Sequence, residues 1–312
     1  MVDIGGQPNP RAPTGIGHEI GGGGIPGHGR IARWQRFAMA PVLWAAMVSM
    51  AIPGAASAHG PLFSPSPETI FKGGIEAKLG GRFQRRTGAG REEEEQAAFF
   101  KLEYGLAADW QISATLPYVR KQQDGLEADG IGDIILGTKY QFWQRDLPGA
   151  QSKASVLLDV KLPTGDDSST PRIGTGSTDL LGGLAWGYES RRWYSFASGA
   201  YRVNTKGSGG IEKGDKQFLN IVGGVRPWLT GYYEPDTVLM LELNWERSDR
   251  DRRGGVTVSD SGGWELFASP VLWVTYRNIA FRGGVQIPIA ENLNGAQPTS
   301  DYRAALELFY NF

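Results

Sequence analysis

The sequence contains no cysteine, which excludes a disulfide-stapled secreted scaffold and any thiolate metal site. Its only histidines are His18, His28 and His59, so no imidazole remains downstream to serve a Ser-His hydrolase site. There is no basic excess: 32 Lys and Arg stand against 33 Asp and Glu, a formal charge of -1. Nothing is therefore left over to neutralise a phosphate backbone, and no nucleic-acid partner is expected. Beyond residue 58 there is no long apolar run, and from Thr69 onward there is no helical period. Glycine is abundant at 45 residues and aromatics reach 11%, while 21% of residues are charged, a composition that suits strands and turns.

The amino-terminal part divides by composition. Residues 1–29 are rich in Gly and Pro without periodicity, and read as a disordered or untranslated extension. Residues 30–58 carry Arg30, Arg33 and Arg36, the apolar run Phe37–Ile52 and the small-residue sequence Ala56-Ser57-Ala58, the parts of a signal peptide. The alternative, a membrane anchor, needs roughly 20 apolar residues, and this run is shorter. Cleavage after Ala58 leaves residues 59–68 as a periplasmic N-terminal segment and residues 69–312 as the folded domain. A new terminus at His59 could chelate copper or nickel through its amine and imidazole, or simply be mobile.

The folded domain alternates with a two-residue period. In Thr237–Ser248, Leu239, Leu241, Leu243 and Trp245 oppose Glu242, Asn244 and Glu246. In Ser300–Phe312, Tyr302, Ala304, Leu306, Leu308, Tyr310 and Phe312 oppose Arg303, Glu307 and Asn311. Similar segments from Thr69–Arg85 onward bring the tally to about twelve strands. Their connections alternate between long (Thr87–Glu95, Gln123–Ile131, Pro163–Ser177, Lys206–Asp215, Asp249–Gly263, Ala290–Thr299) and short, and Trp110, Phe142, Trp186, Trp193, Trp228, Tyr276 and Tyr310 cluster near the short turns. This predicts an all-β fold, a transmembrane antiparallel up-and-down β-barrel of about 12 strands in the outer membrane of a Gram-negative cell.

If the apolar face meets lipid, the polar face lines the lumen. The expected lumen-lining residues are Lys72, Glu76, Lys101, Glu103, Lys139, Asp159, Lys161, Glu242, Arg282, Arg303 and Glu307, with Arg82, Arg202 and Arg226 in the same set. Their mixed signs suit either a conduit for a small solute or a salt-bridge ladder that fills the interior. No catalytic residue, cofactor or metal ligand is assigned. Glu92–Glu95 reads as a solvated loop tip, and Asp166 and Asp167 lack the spacing of a calcium loop.

Four stretches resemble a known family: Gly132–Phe142 (GDIILGTKYQF), Leu162–Gly165 (LPTG), Gly174–Leu184 (GTGSTDLLGGL) and Phe281–Ile287 (FRGGVQI). They are similar to the MetA-pathway of phenol degradation family. The resemblance implies an outer-membrane channel or transporter that passes small, aromatic or hydrophobic organic solutes by energy-independent diffusion. The alternative is a structural or adhesive barrel with a plugged lumen. Expected partners are outer-membrane lipid and lipopolysaccharide, a small-molecule solute and the barrel-assembly machinery, whose recognition signal the end Tyr310 and Phe312 resembles.

Overall fold

Alternation of side chains dictates the architecture, because each strand can shield only one of its faces from water. The structure is a computed structural model that describes residues 59–231 and 233–312. The extension and signal peptide expected over residues 1–58 lie outside the described residues, as do His18 and His28.

Sixteen strands follow in chain order: β1 (Ile75–Gly88), β2 (Arg91–Ala107), β3 (Trp110–Gln123), β4 (Leu126–Ile131), β5 (Ile135–Leu147), β6 (Ala150–Lys161), β7 (Asp179–Ser190), β8 (Trp193–Val203), β9 (Ile211–Glu212), β10 (Lys216–Val225), β11 (Asp236–Ser248), β12 (Arg252–Arg253), β13 (Val256–Thr257), β14 (Gly263–Tyr276), β15 (Ile279–Leu293) and β16 (Thr299–Asn311). Twelve of them form a closed antiparallel barrel; β4 extends one hairpin, and β9, β12 and β13 form a small separate sheet in the loops. The seam joins β1 to β16 from Glu76 opposite Asn311 to Thr87 opposite Thr299. The Phe312 amide then donates to the Ile75 carbonyl at 3.0 Å, so no wall strand is left with an open edge.

The outer face is apolar and bare. Ile221 is 67% exposed, Leu184 and Leu219 58%, and Leu241 53%. Such a belt cannot face water at this extent, whereas in a bilayer it is solvated by acyl chains, and the closed ladder pairs each wall strand with two neighbours there. Trp110, Phe142, Trp186, Trp193 and Tyr276 stand exposed on this face near the short turns. The fold is therefore a membrane-spanning barrel of the outer-membrane type.

Several expected boundaries move. The first strand begins at Ile75, and residues 69–74 connect it to the interior. The expected loop Thr87–Glu95 is a hairpin that continues to Gly88 opposite Arg91, turning through Ala89 and Gly90 at φ of 52° and 72°. Glu92–Glu95 is accordingly a stretch of β2 rather than a loop tip, held by Arg85 to Glu92 at 2.6 Å and Lys121 to Glu95 at 3.4 Å. The next expected loop contains β4, which folds back on β3 through Asp124 and Gly125 at φ of 50° and 84°. Both turns need a left-handed pair of residues, which is where Asp-Gly is favoured.

Candidate functional site

The interior is built in three levels, counted from the short-turn end that carries both ends of the described chain. The lowest level is filled by the segment ahead of β1. Residues 59–68, expected to be periplasmic, run inside the barrel instead, and three prolines at 61, 65 and 67 keep them extended and unable to join the ladder. Wall side chains satisfy this backbone. Glu242 accepts from the Leu62 amide at 2.6 Å, the Phe63 amide at 3.2 Å and the Ser64 hydroxyl at 2.9 Å. Arg282 donates to the Pro61 carbonyl at 2.6 Å and Lys139 to the Glu68 carbonyl at 2.7 Å, while Ser155 bonds the Pro67 carbonyl.

His59 is 8% exposed, 3.2 Å from Asp236, and packed between the rings of Tyr194 and Trp273. Around this segment Leu62, Phe196, Val238, Met240, Val271, Trp273 and Phe309 make an apolar core inside the barrel. That core explains why β14 is apolar on both faces: Phe267, Val271 and Trp273 point inward, and Leu272 meets lipid. Among the expected residues, Glu242 thus serves the segment rather than an open lumen, and Arg282 holds the segment while also lining the cavity.

The middle level is partly neutral. Asn244 donates to Asn220, Asn220 to Ser198, and Asn244 accepts from Ser269 at 2.7 Å and Gln286 at 3.1 Å. Across from it, Lys78 bridges Glu76 at 2.8 Å and Glu103 at 2.6 Å, Lys101 joins Glu103 at 2.7 Å, and Arg282 meets Glu307 at 2.6 Å. These charges are mutually compensated, which a buried ion pair requires.

The outer level is different. Arg82 and Arg86 on β1, Arg202 on β8, Lys216 on β10 and Arg303 on β16 all line the cavity there, with Glu95, Glu246, Glu265 and Asp159. Glu246 and Glu265 both engage Arg303, at 2.8 and 3.3 Å. Among the described residues, Arg82, Arg202 and Lys216 have no carboxylate within 4.0 Å. Alternation counted along β10 from Asn220 gives Lys216 the same face, a signal present in the sequence; Arg86, Glu246 and Glu265 follow from the same parity on their strands.

A cavity of about 1040 Å³ passes through these levels beside the N-terminal segment. Glu76, Lys101, Glu103, Lys139, Asp159, Arg282, Arg303 and Glu307 line it. Glu242 and Arg226 lie outside its lining, and so do two others. Lys72 lies exposed in the turn before β1, because the strand starts later than its alternation suggests. Lys161 sits at the long-loop rim, bonded to Asp179, to Thr175 at 2.6 Å and to Asp133 at 3.6 Å.

That rim knot fixes the loop between β6 and β7. Asp133 accepts from the Gly165 amide at 2.9 Å and the Thr175 amide at 3.0 Å and hydroxyl at 2.8 Å. Burial pushes its carboxyl upward, but these donors and Lys161 outweigh that and hold it below its ordinary value. Asp166 takes part through its carbonyl, which accepts from the Ile173 and Gly174 amides, and Asp167 bonds Ser208.

Comparison with known proteins places this geometry in context. The family described as "Putative MetA-pathway of phenol degradation" matches residues 58–287. Among solved structures, an outer membrane channel from Pseudomonas putida F1 is similar with a TM-score of 0.63 at 14% identity, covering 81% of this chain and 100% of that one. The beta domain of the Bordetella autotransporter BrkA is similar with a TM-score of 0.47 at 10% identity, covering 77% of this chain and 100% of that one. No curated protein matches the sequence.

Proposed function

The match spans most of the chain, so the chain belongs to the MetA-pathway of phenol degradation family, and from that premise we propose an outer-membrane channel for small organic solutes. The observation that carries the reading is the polar-lined cavity of about 1040 Å³ inside a closed twelve-stranded wall. An eight-stranded barrel is just filled by its side chains and a porin leaves a broad aqueous channel, so twelve strands suit one narrow path. Passage is diffusive. The family's link to phenol degradation favours a solute with an aromatic or hydrophobic body.

The channel's partners in this reading are outer-membrane lipid, lipopolysaccharide at the loop-bearing end, and the machinery that inserts the barrel through its aromatic end at Tyr310 and Phe312. The second reading, a plugged barrel acting through its loops, is favoured by the N-terminal segment inside the wall. Planar-bilayer conductance and solute flux of the purified protein decide between them. Measurable conductance with flux of small neutral aromatics supports the channel; silence in both measurements leaves the plugged barrel.

A further inference from the structure

The outer level of the cavity combines three features that a neutral conduit does not need. First, three of its guanidiniums lie over phenyl rings: Arg82 over Phe99 at 5.0 Å, Arg202 over Phe218 at 5.3 Å and Arg303 over Phe267 at 4.2 Å. Stacking fixes one face of each planar cation, and the N–H edges of Arg82 and Arg202, unlike that of Arg303, carry no carboxylate. Second, β1 and β8 stand six wall positions apart in a ring of twelve, so Arg82 and Arg202 confront each other across the lumen. A solute moving along the cavity passes between two like charges, with Lys216 beside Arg202 in the ladder. Third, the level carries five basic groups against four acidic ones, of which Glu246 and Glu265 are spent on Arg303 and Glu95 on Lys121. The Nε atoms of Arg86 and Arg303 are buried without an acceptor.

An anion between the opposed guanidiniums relieves their mutual repulsion. A carboxylate matches the guanidinium edge in a two-bond fork, and a flat apolar body attached to it stacks on the free guanidinium face. We propose that the outer level of the lumen is a binding site for a small monocarboxylate with an aromatic body, held between Arg82 and Arg202 with Lys216 assisting. The proposal rests on the channel reading for its place in transport, but the site itself is defined by equilibrium binding.

The test pairs benzoate with benzamide, its neutral counterpart, on the full-length barrel. Proteoliposome flux is measured for both, and benzoate binding to the detergent-solubilised protein is measured by calorimetry, in wild type, Arg202→Gln, Lys216→Gln and the double variant. Heat-modifiable gel migration reports barrel assembly, and either single variant suffices if the double variant does not assemble. The expected result is faster entry of benzoate than of benzamide, and benzoate binding weakened roughly tenfold by loss of one charge-assisted contact. Benzamide passing with no benzoate preference and no benzoate binding overturns the anion site and leaves the channel standing. If neither solute passes, the channel reading falls; benzoate binding that weakens in the variants still supports the site, and absence of binding overturns it.

Discussion

Glu242→Ala should release the N-terminal segment from the wall. One buried carboxylate, itself 0% exposed, accepts from the Leu62 amide, the Phe63 amide and the Ser64 hydroxyl. Removing it leaves two backbone donors without acceptors, each costing about 1–3 kcal/mol when buried. Water in the adjoining cavity satisfies part of that, so a loss of roughly 2–3 kcal/mol is the better figure, or a rise of about 30- to 150-fold in the undocked population. Arg282, Lys139 and Ser155 still hold the segment, and Leu62 still buries its side chain, so the docked state remains the majority form.

The absence of native cysteine makes the assay clean, because a single introduced thiol is the sole reactive one. Leu62→Cys, at a position 6% exposed, should react slowly with a membrane-impermeant maleimide, and faster by the stated factor when combined with Glu242→Ala. Planar-bilayer conductance should rise in parallel. Unchanged labelling together with unchanged conductance would refute the assignment of Glu242 as the anchor.

Gly105→Ala should act in the same direction, since a Cβ there would stand 2.1 Å from the Phe71 carbonyl oxygen and break the Gly73 to Gly105 bond of 2.8 Å; conductance equal to wild type would count against it. Deleting Phe312 removes the last bond of the seam and the aromatic end, so outer-membrane insertion should fall more than solute flux in the molecules that do insert; normal surface amounts would exclude the role. The rim knot should weaken in acid. Asp133 has a folded value below its ordinary 3.8, so its contribution is complete above about pH 4 and is lost as pH falls through the folded value. Limited proteolysis of residues 162–178 should therefore accelerate as pH falls through that lowered value and, in Asp133→Asn, at neutral pH; equal rates in acid and at neutral pH would contradict the assignment.

The wall was legible because the bilayer imposes a rule that every strand obeys separately. Leu239, Leu241 and Leu243 against Glu242, Asn244 and Glu246 reveal the two faces of β11 without knowledge of any neighbour. What could not be read are features that depend on two distant parts of the chain. Nothing local marks Glu242 as the acceptor for Leu62, and a proline-spaced segment without periodicity resembles any tail. The long hairpins were missed for a related reason: strand and loop are both polar once β1 and β2 leave the membrane, so cross-strand pairs such as Arg85 with Glu92 replace alternation as the organising force. The outer basic level was partly visible in Arg82, Arg202 and Arg303, but their meeting across the lumen required the order of strands.

The docked segment also bears on how the molecule is assembled. Leu62 is bonded to a residue 180 positions later and Pro61 to one 221 positions later. Residues synthesised early must therefore wait for partners on β11 and β15, and such remote contacts form late because closing long chain loops is entropically costly. Glu242 and Arg282 are presented inward only once their strands are paired. Docking of the segment is thus tied to closure of the wall, whose β1–β16 seam includes residues still further apart in the chain, Glu76 and Asn311.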